Sequence, residues 1–256
     1  MNKHKLIILA RAGDSTNILF HSLKNDFEIE AVILEKPTAA SELLKKRIKK
    51  LGLWTVIGQL LFQFSIAKIL KQTSFKRKKE ILKKYELENL ILPNYKIIKV
   101  SSVNSDECIE VLRKINPELV IVNGTRIIST SVLRAIPVEF MNIHAGITPK
   151  YRNVHGGYWA VVNNDLENCG VTVHMVDEGI DTGTIIYQQQ ISVTEKDNFA
   201  TYPLLQLAEG IICLKRAINN YFENTLILQE NNLESKLWYH PTIWQYIYHR
   251  LVHNKK

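Results

Sequence analysis

A chain of 256 residues with 33 Lys and Arg against 25 Asp and Glu has a formal charge of +8 and a sequence pI of about 9.2. A 46% hydrophobic fraction with 11 Gly and 7 Pro excludes disordered, collagenous and low-complexity chains, and the length fits one large domain, or one and a tail. The charge is local: residues 41–85 hold 13 basic and 2 acidic side chains, or +11, and the remainder has 20 basic against 23 acidic, or −3, which argues against a nucleic-acid footprint over the whole surface.

The apolar run Leu6 to Ala10 follows Lys3 and Lys5 and stops at Arg11, too short for the core of a signal peptide. Cys108, Cys169 and Cys213 are an odd, widely spaced set, which indicates a reducing compartment and, with the missing signal, a cytoplasmic protein. Leu6 to Ala10, then Gly13-Asp14-Ser15-Thr16-Asn17, then Ile18, Leu19 and Leu23 at helical spacing read as strand, capped turn and helix. Ala31 to Leu34 is a second strand. Beyond the basic segment, Ser105 caps a helix with Cys108, Val111, Leu112 and Ile115 inward, and the strand Leu119 to Val122 ends at Asn123-Gly124. A short helix through Val132 and Leu133 precedes a strand from Phe140 to His144. Gly156 to Asn163 reads as helix, Val171 to Met175 and Thr184 to Gln190 as strands, and Thr201 to Phe222 as helix. Strands apolar on both faces, alternating with helices, predict an α/β, Rossmann-like, mainly parallel sheet with ligands beyond the carboxyl ends of its strands. We expect a catalytic domain over 1–222, carrying a basic helical insert at about 41–85, and an aromatic-rich extension over 223–256 whose rings mostly pack on the core.

The densest polar constellation lies between Asn142 and Asp181. Asn142 and His144 are two apart on a strand, so both side chains face the same side, a donor pair suited to a developing oxyanion. Asp181 sits in Val176-Asp177-Glu178-Gly179-Ile180-Asp181-Thr182-Gly183, where two glycines shape a loop that can hold a carboxylate near His144. A metal set drawn from His144, His155, His174, Asp177 and Asp181 lacks the HxxxH or HxH spacing that seats two imidazoles on one ion, so the metal-free reading is preferred. His174 alternates with Val171 and Val173 and reads as a half-exposed strand residue.

Asn142-Ile143-His144, the turn with Pro149, Gly170-Val171-Thr172-Val173-His174 and the Asp177 to Gly183 loop together resemble the folate-dependent formyltransferases: glycinamide ribonucleotide transformylase, methionyl-tRNA formyltransferase and the sugar N-formyltransferases. The resemblance is strong from about Pro117 to Ile191, weaker over the first 35 residues, and not evident in 41–85 or the tail. It implies formyl transfer from N10-formyltetrahydrofolate to a primary amine, without a metal. By position, Asn142 would bond the formyl oxygen, His144 would stabilise the oxyanion or pass a proton, and Asp181 would orient His144 and a water. The pterin would lie against Gly124-Thr125-Arg126-Ile127-Ile128, with the loop carrying Asp177 and Gly179 on its other side.

Three acceptors compete. The segment after Glu223 is short for the barrel of the tRNA enzymes and nearly balanced in charge. Asp14 stands where a ribonucleotide phosphate would sit. An amino-sugar nucleotide is therefore the expected acceptor, with glycinamide ribonucleotide, methionyl-tRNA or a non-catalytic folate-binding role as alternatives. In the basic segment, 17 uncharged residues from Leu51 to Ala67, including Trp54, Phe62 and Phe64, lie between lysine clusters. Their Gly, Gln, Thr and Ser content argues against a span of ~20 apolar residues. Helices packed on the domain, with an apolar face used in the core or in a homodimer, compete with peripheral docking on an anionic membrane.

Overall fold

In a computed structural model, residues 4–253 and 255 are described. In chain order the elements begin β1 (Lys5–Ala10), α1 (Asp14–Leu23) and β2 (Glu28–Glu35), followed by four helices, α2 (Ala40–Leu51), α3 (Leu53–Phe64), α4 (Ile66–Thr73) and α5 (Phe75–Lys84). Then come β3 (Ile97–Val100), α6 (Asp106–Ile115), β4 (Leu119–Asn123), α7 (Thr130–Leu133) and β5 (Phe140–His144). The remainder is β6 (Arg152–Asn153), α8 (Gly156–Val162), β7 (Gly170–Met175), β8 (Ile185–Gln190), α9 (Tyr202–Phe222), β9 (Leu237–Trp238) and α10 (Ile243–Val252).

Seven strands form one sheet in the order β3-β2-β1-β4-β5-β7-β8. The first five pair in parallel, and β7 and β8 are antiparallel. Their apolar runs are buried on both faces because helices cover both: Leu6 and Ile8 join Ile211, Leu214 and Ile218 of α9, while Ile7, Leu9 and Val120 join Cys108 and Leu112 of α6 and Val132 of α7. Ser105 caps α6 as its position predicts, accepting the Cys108 N–H at 3.3 Å. The turn opening α1 lacks the expected side-chain cap; Thr16 Oγ1 instead donates back to the Arg11 carbonyl at 2.6 Å.

The basic segment folds onto the domain. On α3 one face, Val56, Gln59 and Phe62, is buried, with Phe62 against Phe199 and Tyr246 at ring separations of 4.8 and 5.1 Å. In α5, Arg77 clamps the buried Asp197 with two hydrogen bonds of 2.8 and 2.9 Å, so part of the charge excess is structural. Leu53–Thr73 is long and apolar enough to cross a membrane by length and composition. Gln59 nevertheless bonds Arg47 and the His240 carbonyl, which ties one face of α3 to the protein.

The tail rings divide. Tyr246 is buried and Trp238 stacks on Trp159 at 4.8 Å, whereas Trp244 and Tyr248 are largely exposed. Strand β9 pairs in parallel with β6, and Asn153 Nδ2 donates to the Trp238 carbonyl, which brings the tail beside the polar loops.

Candidate active site

A parallel sheet gathers polar groups where its strand order reverses, here between β1 and β4. A cavity of about 440 Å³ opens there, and Asn142, His144, Asp181, Gly124–Ile128, Asp177 and Gly179 all line it. A larger hollow of about 740 Å³ lies at the opposite end, where β2 begins, and contains no such Asn, His and Asp set.

Alternation along β5 aims Asn142 and His144 into the cavity, while Ile143 turns toward Gly210 of α9. His144 is buried, with Nδ1 3.2 Å from Asp181 Oδ2 and Nε2 2.7 Å from the Tyr151 carbonyl oxygen. A backbone carbonyl can only accept, and an ionised carboxylate can only accept, so both ring nitrogens carry hydrogen and the ring is an imidazolium. Burial opposes that charge, but the Asp181 carboxylate, its hydrogen bond and the Tyr151 carbonyl outweigh it and hold the His144 pKa above its ordinary value. For Asp181, burial is likewise outweighed by His144 and by the Asn153 N–H that donates to Oδ2 at 2.8 Å, and its pKa falls to about 2.

Asp181 sits at a positive φ of 50°, a conformation that Asp and Asn tolerate better than most side chains. Arg152 Nε, donating to the Ile180 carbonyl at 2.7 Å, fixes the loop from outside. Gly146 is required by close approach, since a Cβ there would lie 2.2 Å from the Tyr151 carbonyl oxygen and 2.8 Å from His144 Nε2.

His174 corrects the expectation of a half-exposed strand residue: it is 3% exposed and pairs directly opposite Asn142. Its Nδ1 lies 2.7 Å from the Met175 carbonyl and must donate to it, leaving Nε2 to accept from Asn142 Nδ2 at 3.1 Å. Burial lowers the His174 pKa, in keeping with this neutral form. The contact fixes the Asn142 amide and leaves its second N–H free for a ligand. Other groups escape sequence reasoning because they are backbone: the Asn153 N–H and the Tyr151 carbonyl carry no side-chain signature.

Some singled-out residues have local partners. Asp177 accepts from Thr182 Oγ1 at 2.8 and 2.9 Å and from the Gly179 N–H at 3.0 Å, so its carboxylate shapes the loop. Arg126 is bound through its backbone N–H and guanidinium to the buried Glu35. Gly124, at φ 66°, turns the chain from β4 into this segment. His155 pairs with His240 at 2.7 Å, and no group of three or more His, Cys, Asp or Glu among the described residues is placed to hold a metal.

The family model described as formyl transferase matches residues 55–206, more than half of the chain. The chain belongs to the formyl transferase family. The match begins inside the basic segment, so most of α3 and all of α4 and α5 lie within the family region although no resemblance is evident there in the sequence, while α2 precedes it. A methionyl-tRNA formyltransferase of Pelotomaculum thermopropionicum is 32% identical over 109 residues, 42% of this chain and 34% of the relative. That of Caldanaerobacter subterraneus subsp. tengcongensis is 29% identical over 150 residues, 58% of this chain and 48% of the relative. The chain thus spans a third to a half of these curated relatives. Among solved structures, a sugar N-formyltransferase from a Shewanella species matches with a TM-score of 0.56 at 13% identity, covering 92% of this chain and 76% of that one. Glycinamide ribonucleotide transformylase 1 from Symbiobacterium toebii matches with a TM-score of 0.56 at 20% identity, covering 88% and 91%. These likenesses establish the formyl transferase fold.

Proposed function

We propose that this chain transfers a formyl group from N10-formyltetrahydrofolate to a primary amine, with residues 1–222 as the catalytic unit and 223–256 as an extension over it. The observation that carries the reading is one cavity lined by the free Asn142 N–H, the His144 imidazolium and the Asp181 carboxylate. Attack of an amine on the formyl carbon gives its oxygen a negative charge. Asn142 donates to that oxygen, and His144 stabilises it by its positive charge. The amine must shed a proton, which Asp181 accepts directly or through a water, and the proton passes to the departing folate nitrogen. The backbone of Gly124–Ile128 and the Asp177–Gly179 loop flank the cavity and are the assigned walls of the pterin site. No metal is assigned.

The assigned acceptor is an amino-sugar nucleotide. Supporting it, Asp14 disfavours a phosphate at the first turn of α1, and Tyr239 beside Asn153 offers a ring for stacking. Tetrahydrofolate release should be measured with a panel of amino-sugar nucleotides, glycinamide ribonucleotide and methionyl-tRNA. Release with a nucleotide sugar alone is expected. Release with one of the other two reassigns the acceptor, and none with any amine, despite folate binding, makes the chain a folate-binding member.

We also assign a peripheral site on an anionic membrane, with the enzyme in the cytoplasm. Opposite the buried face of α3 lie Trp54, Ile57, Leu61 and Phe64 at helical spacing, with Trp54 76% and Phe64 77% exposed. Alongside, the Trp244 ring packs on Gly58, and α10 adds exposed Tyr248 and Leu251. A second copy docked on this face would bring two +11 segments together, whereas anionic lipid neutralises them. Flotation should show binding to phosphatidylglycerol vesicles but not to phosphatidylcholine vesicles, lost with Trp54→Ser/Phe64→Ser. No lipid-dependent binding, or a dimer that this double substitution dissociates, overturns the assignment.

A further inference from the structure

A second cavity, of about 260 Å³, adjoins the first and shares Asn153 and Val154 with it. Asn153 is also the residue whose N–H holds Asp181, so the two spaces meet beside the carboxylate. Lys46, Arg47 and Lys50 of α2 line this cavity, together with Tyr239 and His240 of the tail, and no acid does. Arg47 is oriented rather than free to wander: its Nη2 donates at 2.6 Å to Gln59, which is 1% exposed and donates in turn to the His240 carbonyl at 2.8 Å. Only one of the five guanidinium N–H groups is used in this contact. Lys50 Nζ lies 5.3 Å above the Tyr239 ring. The ion pair of Lys46 with Glu42 joins two exposed side chains and is easily exchanged. Burial and the charge of Arg47 both lower the His240 pKa, to about 4, so His240 adds no charge near neutrality.

We propose that this second cavity binds the diphosphate of the acceptor, placing its amine at Asp181. The inference rests on the formyl-transfer reading for the identity of the amine, but its anion chemistry is separable from catalysis. Arg47 offers a fork of N–H donors to phosphate oxygens, Lys46 and Lys50 offer point charges, and Tyr239 offers a face to a sugar or base. The same diphosphate chemistry occurs in a soluble nucleotide sugar and in a lipid-linked sugar.

Binding should be measured calorimetrically, without folate, for inorganic pyrophosphate, uridine diphosphate and vesicles carrying a polyprenyl diphosphate. The comparison is between the unaltered chain and Lys46→Ala/Lys50→Ala, whose sites are exposed helical positions where alanine preserves the helix. Pyrophosphate binding weakened about 100-fold or more in the double variant is expected, with unchanged thermal melting. Preference for uridine diphosphate or for the polyprenyl diphosphate, each sensitive to the substitution, identifies the source. No binding of any of the three probes, or binding that the double substitution leaves unchanged, overturns the proposal. Because no turnover is measured, failure here is distinguishable from failure of the formyl-transfer reading.

Discussion

Asp181→Asn is expected to lower kcat by about 10²–10³-fold while folate affinity stays near that of the unaltered chain. The substitution keeps the size of the side chain and suits the positive φ at this position, so the loop around it should keep its shape. What it removes is the charge that holds His144 as an imidazolium and the acceptor proposed for the amine proton. The pH behaviour follows with definite sign. His144 has a raised pKa, so its contribution to stability is complete below ~6.5 and is lost as pH rises through the raised value. Asp181, lowered to about 2, contributes fully above ~3.9 and loses that contribution as pH falls through about 2. The pair is therefore charged from weakly acidic pH to beyond the ordinary histidine range. In Asp181→Asn the leading influence left on His144 is burial, which lowers its pKa. Nitrogen NMR of His144 should show protonation persisting above pH ~6.5 in the unaltered chain and lost below it in the variant. Near-normal turnover in Asp181→Asn would refute its role.

Asn142→Ala should cost a similar ~10²–10³-fold in kcat with a smaller change in KM, because its free N–H is the donor proposed for an oxygen that gains charge only as the amine attacks. His174 holds one of the Asn142 amide hydrogens at 3.1 Å, and on the proposed mechanism it acts through Asn142 as a positioning residue. His174→Ala should therefore cost less than Asn142→Ala, and the double variant should be little worse than Asn142→Ala alone. Additive losses in steady-state kinetics would show instead that His174 acts on the substrate directly.

The parallel sheet was legible because runs such as Leu6 to Ala10 and Leu119 to Val122 are apolar at every position, a pattern that a sheet covered on both faces requires. Asn142 and His144 were legible because strand alternation is local, and Asp181 because glycines mark its loop. His174 was misread for a non-local reason. Its alternation with valines suggests a strand wet on one face, but β7 lies between β5 and β8 and His174 packs beneath the Asp181 loop. The Asn153 N–H and the Tyr151 carbonyl, which fix the charged pair, belong to the backbone and leave no pattern in sequence. In α3 the Gly, Gln, Thr and Ser content argues against a span, but apolar residues lie on both faces, so sequence alone did not choose between a core helix and a surface helix. The choice follows from Phe62 meeting Phe199 and from Gln59 reaching the His240 carbonyl.

On the proposed mechanism, Asn142, His144 and Asp181 together move a formyl group to an amine. Its most direct test supplies the chain with N10-formyltetrahydrofolate carrying carbon-13 in the formyl group, together with the amine panel, and follows the label by NMR. Label is expected in a new amide of one acceptor with the unaltered chain, and almost none over the same time with Asp181→Asn. Label that remains on folate, or appears only as free formate in the presence of every amine, would contradict it.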